Sequence, residues 1–141
     1  MIIEISNRTK SKLPLSLTQL EGLIKKFLLG RRLSTKEISL VLVGDTLMRR
    51  LNRETRGKDK VTDVLSFREA DTDSIRPNFL GEVVIDYQQI KRQVKTFKTS
   101  PRQELIFILV HGLLHLEGYD DETDKEAKVM EELGKKFIAK L

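Results

Sequence analysis

The sequence contains no cysteine among its 141 residues. The chain therefore cannot form a disulfide framework, bind zinc through thiolates or use a cysteine nucleophile. Any metal ion has to be bound by histidine, aspartate or glutamate side chains. Since the sequence has only two histidines, few combinations of residues can form such a site.

Long apolar runs are also absent. The longest unbroken run covers residues 105–110, far short of the roughly 20 residues that a membrane-spanning helix needs. Glu4 interrupts the N-terminal region in which a signal peptide would have its apolar segment. We therefore expect a cytoplasmic protein with no membrane partner.

Proline and glycine are too few for a low-complexity chain, at three and eight residues. Hydrophobic residues make up 39% of the sequence and charged residues 33%, which leaves enough apolar side chains for a packed core. A length of 141 residues is typical of one domain. We predict a single domain over residues 1–141.

Basic and acidic residues are unevenly distributed. Residues 1–60 carry 14 basic and 6 acidic side chains, whereas residues 111–141 carry 5 basic and 8 acidic ones. A basic N-terminal part suits a polyanion such as nucleic acid, because phosphate contacts release counterions. Solvation of helix surfaces by Lys and Arg is the alternative explanation, and composition alone favours neither.

Strand and helix signals alternate along the chain. Apolar, β-branched segments predict strands at residues 2–6, 37–43, 61–67 and 81–85. Helical spacing predicts helices over residues 17–30, 46–53 and 101–117, and after Asp86 and Thr123. Polar loops are expected over residues 55–60 and 70–78. The predicted fold class is α+β, with a small mixed sheet of about four strands packed with about five helices.

Capping-box spacing marks the start of the first and last helices, through Ser16 with Gln19 and Thr123 with Glu126. The apolar residues predicted to face the core in these two helices are Leu17, Leu20, Leu23, Ile24, Phe27, Leu28, Val129, Met130, Leu133, Phe137 and Ile138.

Both histidines lie in the most apolar helix. At a spacing of four residues, His111 and His115 share one helix face with Cβ atoms about 5–6 Å apart, so both rings can converge on one ion. Gly118 ends the helix and lets the chain turn back, and the pattern H-x-x-x-H-x-x-G-x-x-D makes Asp121 the third candidate ligand. Core histidines satisfied by backbone groups are the alternative, but a pair followed by Gly and acids favours a metal site.

Two positions distinguish this pattern from zinc proteases of the H-E-x-x-H type. Those proteases need a glutamate directly after the first histidine as general base, and this chain has Gly112 there. The third ligand position is Asp121, whose negative charge makes bound water less acidic and favours harder ions such as Mn²⁺ or Mg²⁺.

Four blocks carry a resemblance to a known family: residues 56–60 (RGKDK), 62–67 (TDVLSF), 81–85 (GEVVI) and 111–121 (HGLLHLEGYDD). In order and spacing they resemble the YbeY family of bacterial metal-dependent endoribonucleases, which act in ribosomal RNA maturation. The family motif has a third histidine where this chain has Asp121, and commonly a tyrosine where it has Thr55.

The resemblance implies a small α+β fold with one zinc ion in a cleft, at the positions of His111, His115 and Asp121. It implies a single-strand-specific endoribonuclease that processes 16S ribosomal RNA and acts on the small ribosomal subunit during ribosome assembly. Arg56 matches the functional arginine of the family. Its guanidinium suits that role, because it can clamp a phosphate and stabilise charge that develops at phosphorus.

Lys58 and Lys60 are expected to guide the RNA backbone, with solvated surface as the alternative. The mechanism hypothesis is that an ion held by His111, His115 and Asp121 would polarise a phosphoryl oxygen or activate water, while Arg56 would neutralise charge in the transition state. The sequence identifies no general base, although Glu117 and Asp120 lie close to the ligands along the chain.

Two other functions are compatible with these motifs. One is a non-catalytic RNA-binding factor of ribosome assembly whose metal is structural or lost; structural zinc sites usually have four protein ligands, whereas this pattern supplies three. The other is a metal-dependent hydrolase of another substrate, such as a peptidase. Gly112 and the basic residues around Arg56 argue against the peptidase.

Overall fold

Strands and helices alternate along the described part of the chain, residues 2–73 and 76–141 of a computed structural model. The strands are β1 (Ile3–Asn7), β2 (Glu37–Val43), β3 (Val64–Arg68) and β4 (Phe79–Asp86). The α-helices are α1 (Leu17–Gly30), α2 (Asp45–Arg56), α3 (Tyr87–Phe97), α4 (Pro101–Glu117) and α5 (Asp124–Ala139), and a short 3-10 helix covers Glu69–Asp71.

The four strands form one mixed sheet in the order β1-β2-β4-β3. β1, β2 and β4 run parallel, and β3 pairs antiparallel with β4 at one edge. The predicted α+β class, with a mixed sheet of four strands and five helices, is confirmed. Within the described ranges, no helix combines the length and apolar character needed to cross a membrane.

Helix α4 packs closely against the sheet because it has no side chain at one central position. A Cβ atom added to Gly112 would lie 2.8 Å from Val83 Cγ1 and 3.1 Å from Val64 Cγ2. The Ser66 hydroxyl donates a hydrogen bond of 2.9 Å to the Gly112 carbonyl, which ties β3 to α4. The helix that carries both histidines is therefore fixed in position by β3 and β4.

Helix α2 is longer than predicted. It continues to Arg56 and ends at Gly57, which has a left-handed conformation with φ of 71°. The prediction of a loop from residue 55 is wrong, because the arginine-rich last turn has few apolar residues and resembles a loop in sequence. Arg56 thus projects from a helix end, a more constrained position than a loop.

Other boundaries shift by a few residues. β3 begins at Val64 rather than residue 61, and β4 begins at Phe79, two residues before the predicted start. The loop predicted over residues 70–78 includes residues 74 and 75, which lie outside the described residues; its first residues belong to the 3-10 helix.

The capping box predicted for α5 forms only in part. The Thr123 hydroxyl accepts the Glu126 N–H at 3.1 Å, but the Glu126 carboxylate accepts from that hydroxyl at 2.9 Å. Leu17 and Val129 were expected in the core, and both are exposed. Leu17 precedes the first buried turn of α1, and Val129 lies off the face that buries Met130 and Gly134.

Candidate active site

His111, His115 and Asp121 come together at the C-terminal end of α4. The two Nε2 atoms lie 3.1 Å apart, and Asp121 Oδ2 lies 3.4 Å from His111 Nε2 and 3.8 Å from His115 Nε2. The two histidines are half-buried and Asp121 is exposed, so the group has an open side. The structure brings together all three residues that the spacing predicted as candidate ligands.

The turn after α4 brings Asp121 back to the histidines. Gly118 has a φ of 115°, and its N–H caps the helix by donating to the carbonyls of Leu114 and His115. A left-handed residue at this position reverses the chain at no steric cost when it is glycine. Asp120 Oδ1 then accepts the Asp121 N–H at 3.0 Å, which fixes the backbone of the third candidate ligand.

Hydrogen bonding sets the tautomer of His115. Its Nδ1 lies 2.9 Å from the Tyr119 carbonyl oxygen, and since a carbonyl only accepts, Nδ1 carries the proton. The Nε2 lone pair then faces His111. Burial lowers the pKa of His111, and the neighbouring His115 lowers it further, which favours the neutral imidazole that binds metals.

The donor set fits a tetrahedral ion such as zinc. Two Zn–N bonds of about 2.0–2.1 Å at a tetrahedral angle separate the nitrogens by about 3.3 Å. The distances of 3.1 Å between the histidine nitrogens and 3.4 Å from His111 Nε2 to Asp121 are close to that value, and the 3.8 Å from His115 Nε2 to Asp121 is longer. Three protein ligands leave one coordination position free, as catalytic zinc sites require.

Gly112, directly after the first histidine, faces away from this site. A side chain there would point toward Val83, Val64 and Ser66 in the sheet. In this fold the position cannot supply the general base of the H-E-x-x-H proteases. The peptidase alternative therefore lacks its general base for two reasons: the residue at this position is a glycine, and this side of α4 faces the sheet instead of the candidate ligands.

A cavity of about 670 Å³ joins the three candidate ligands to a basic wall. Arg56, Lys58 and Lys60 line it, and all three are exposed. Arg56 Nη2 donates to the Ser66 carbonyl at 2.8 Å, and its guanidinium carbon lies 5.2 Å from the centre of the Phe67 ring. Arg56 is thus anchored at the mouth of the cavity, with further N–H donors free for an anion.

Of the two acids near the ligands in sequence, one points away. Arg31 Nε donates to both Glu117 carboxylate oxygens, at 2.9 and 3.1 Å, and Arg31 Nη2 donates to the Tyr119 hydroxyl at 2.8 Å. These contacts tie α1 to the turn after α4, and Glu117 does not line the cavity. Asp120 does line it.

Asn52, Asp63 and Arg68 are among the residues that line the site without having been predicted as site residues. Asp63 lines the main cavity and a smaller one beside it, and Arg68 adds a cation to the main cavity. Asn52 is buried and donates to the Lys60 carbonyl at 2.9 Å, which positions the basic loop. Asp63 lies within the TDVLSF block, and its position in that motif is the sequence feature that could have identified it as a site residue.

Comparison with known proteins agrees with the motifs. The sequence model of the family Endoribonuclease YbeY matches residues 4–141. An Endoribonuclease YbeY from Sulfurihydrogenibium is 42% identical over 86% of this chain and 81% of its own length. One from Finegoldia magna is 38% identical over 95% of each chain.

The solution structure of TM1509 from Thermotoga maritima has the same fold, with a TM-score of 0.66 and 28% sequence identity. The alignment covers 97% of this chain and 87% of that one. YbeY endoribonucleases are hydrolases of RNA phosphodiester bonds, which is the enzyme class that the motifs indicated. From the match over residues 4–141 and the relatives that cover most of its length, the chain belongs to the YbeY endoribonuclease family.

Proposed function

We propose that this chain acts over residues 1–141 as one metallohydrolase domain that cuts single-stranded RNA. The observation that carries the proposal is the single cavity in which His111, His115 and Asp121 face Arg56, Lys58 and Lys60. A cation site beside exposed basic side chains suits a phosphodiester, which needs charge neutralised on its oxygens as the transition state forms.

We propose zinc as the ion, with Mn²⁺ or Mg²⁺ as alternatives because Asp121 is a hard oxygen donor. When bound, such an ion supplies Lewis-acid polarisation of a phosphoryl oxygen or acidifies a water molecule. His111, His115 and Asp121 would hold it. Tyr119 would keep the His115 ring in the ligating tautomer through its carbonyl.

Arg56 would bind a non-bridging phosphate oxygen and oppose the charge that develops at phosphorus. Its hydrogen bond to the Ser66 carbonyl and its position over Phe67 hold the guanidinium in place before the substrate arrives. Lys58 and Lys60 would follow the RNA backbone on either side of the cut, as mobile point charges suited to contacts without sequence preference.

We further propose that the natural substrate is the precursor of 16S ribosomal RNA and that the protein works with the small ribosomal subunit in ribosome assembly. Family membership supports this choice of RNA. The basic wall agrees with it, because a long RNA contacts several cations at once.

A cleavage assay tests the activity. Metal-depleted protein is incubated with a labelled single-stranded RNA, the same RNA in a duplex, and a peptide, before and after addition of Zn²⁺, Mn²⁺ or Mg²⁺. We expect metal-dependent cleavage of the single strand, little cleavage of the duplex and none of the peptide. RNA binding without cleavage under every metal would instead support a non-catalytic assembly factor, and peptide cleavage would support another hydrolase.

A further inference from the structure

A second cavity opens on the other side of the candidate metal ligands, between α4 and α5. Its volume is about 370 Å³, within the range of small-ligand pockets, about 300–1,000 Å³. His111, Asp121 and Asp63 line both this cavity and the main one. A ligand group that occupies it therefore lies directly beside the position of the ion.

The walls of this cavity are largely apolar. The residues that form them are Phe107, Ile108, Leu114, Ala127, Met130 and Gly134. Phe107 is 38% exposed and lies one helical turn before His111. Its ring is inclined by only 24° to the His111 imidazole, with the centroids 6.5 Å apart. Phe107 thus offers a flat aromatic surface at the edge of the metal site.

The two cavities differ in their basic residues. The main cavity is lined by Arg56, Lys58, Lys60 and Arg68 together with carboxylates of Asp63, Asp71, Asp120, Asp121 and Glu122. Among the described residues that line the second cavity the charged groups are carboxylates, Asp63, Asp121 and Glu131, and Glu131 is itself paired with Lys135 at 2.9 Å. Phosphate is repelled from such a surface, whereas a neutral planar group with N–H donors is not.

We infer that the cavity between α4 and α5 binds an unpaired nucleobase of the RNA, stacked on Phe107, while the adjoining phosphate lies in the main cavity. Aromatic stacking accepts every base, and it requires a base that is not already paired. This pocket would make the site select single strands. The inference rests on the proposed function, because it takes RNA as the substrate.

An abasic scan tests the pocket. Single-stranded RNAs with one abasic nucleotide, moved along both sides of the cut, are cleaved by the unchanged protein and by Phe107→Ala, Phe107→Trp and Phe97→Ala. Phe97 is the matched control, because it is also exposed, at 63%, but lies at the end of α3. Thermal midpoints of all variants check that they fold.

We expect one abasic position to lower kcat/KM of the unchanged protein about tenfold. Phe107→Ala should lose about as much on the intact RNA and nothing more on that abasic RNA. Phe107→Trp should retain the abasic penalty, because tryptophan also stacks on a base, and Phe97→Ala should behave like the unchanged protein. Equal abasic penalties in the unchanged protein and in Phe107→Ala would overturn the pocket.

A binding measurement separates this inference from the proposed activity. Metal-depleted protein is mixed with single-stranded RNA that carries 2-aminopurine at each position in turn, since stacking quenches the fluorescence of this base. We expect quenching at one position by the unchanged protein and by Phe97→Ala, and none there by Phe107→Ala. Absence of cleavage with quenching intact would contradict the proposed function alone, and cleavage without Phe107-dependent quenching would contradict the pocket alone.

Discussion

The two walls of the main cavity are built in different ways. The ligand wall, formed by α4 and the turn after it, is held by buried side chains, by the close approach of Gly112 to the sheet and by the capped turn at Gly118. The basic wall, formed by the end of α2 and the loop after it, presents exposed side chains with few anchors.

This difference matches the roles that we propose for the two walls, metal binding for one and phosphate binding for the other. Metal ligands have to meet within a few tenths of an ångström, and side chains on a packed helix and a capped turn are held more precisely than side chains on an exposed loop. Phosphate contacts act over longer distances and tolerate movement of long side chains. Substitutions in the ligand wall should therefore have larger effects than those in the basic wall.

The largest effect is expected for His115→Ala. Loss of one of three ligands should reduce bound metal to well below one ion per chain and lower RNA cleavage by more than about 10³-fold, because the remaining pair cannot hold the ion at working concentrations. Elemental analysis and the cleavage assay measure both quantities. Circular dichroism checks that α4 still forms. Full activity with a full complement of metal would exclude this assignment of the ligands.

A smaller effect is expected for Arg56→Ala in the basic wall. Removal of one preorganised cation from the phosphate should lower kcat by about 10²-fold, with a lesser change in KM. Arg53→Ala is the matched control, since Arg53 lies in the same last turn of α2, contacts Asp59 and does not line the cavity. Similar losses in the two variants would mean that net charge, rather than position, explains the effect.

The glycine at the centre of α4 tests how rigid the ligand wall has to be. Gly112→Ala should destabilise the fold by about 1–3 kcal/mol, because its Cβ atom would meet Val83 and Val64 at less than normal contact distance. Cleavage should fall as well, because a displacement of the helix at Gly112 would also move His111, the residue directly before it. Urea denaturation and the cleavage assay measure the two effects.

Gly134→Ala in α5 provides the comparison for that glycine. Gly134 is also buried in a helix, but its Cβ atom would lie at ordinary distances of 3.7 and 4.0 Å from Val110 and Leu114. Removing a helical glycine there should be neutral or stabilise by up to about 1 kcal/mol. If both variants lose the same stability, tight packing of α4 on the sheet is not the cause.

The ligand wall was largely predictable from sequence because local signals define it. Pro101 and Gly118 mark the ends of α4, and the spacing of His111, His115 and Asp121 places their side chains on one side. β2 was predicted with its observed bounds, since its last four residues are apolar and a glycine turn follows them.

The features that were not predicted depend mainly on contacts between segments far apart in the sequence, and no local pattern predicts such contacts. The antiparallel position of β3 at the sheet edge brings Asp63 beside His111, although 48 residues separate them. Phe107 was predicted only as part of an apolar helix, and its exposure depends on how α5 packs. The length of α2 was missed because arginines at a helix end resemble a polar loop.

The smallest effect on cleavage is expected at a buried acid that lines neither cavity and that the sequence indicated only as a helix start. Asp86 is fully buried and caps α3, with its Oδ1 accepting the N–H groups of Gln88 and Gln89. Its own N–H donates to the Asp63 carbonyl at 2.9 Å. Burial and the adjacent Asp45 carboxylate raise the pKa of Asp86 to about 7.

A raised pKa makes stability fall as pH rises. Between about pH 4 and pH 7 the folded chain keeps a proton on Asp86 that the unfolded chain has released, so the free energy of unfolding decreases over this range. Asp86→Asn keeps the cap but does not titrate. We expect the free energy of unfolding of this variant to rise relative to that of the unchanged protein by about 3 kcal/mol between pH 4.5 and pH 7.5, measured by urea denaturation.

Asp59→Asn is the control for this titration. Asp59 is exposed, and its hydrogen bond with Arg49 lowers its pKa, so its contribution to stability is lost only as pH falls below about 4. The free energy of unfolding of Asp59→Asn should therefore change with pH in the same way as that of the unchanged protein from pH 4.5 to pH 7.5. If the free energy of unfolding of Asp86→Asn also runs parallel to that of the unchanged protein over this range, Asp86 is ionised in the folded state, and Asp45 and Arg92 have to accommodate its charge.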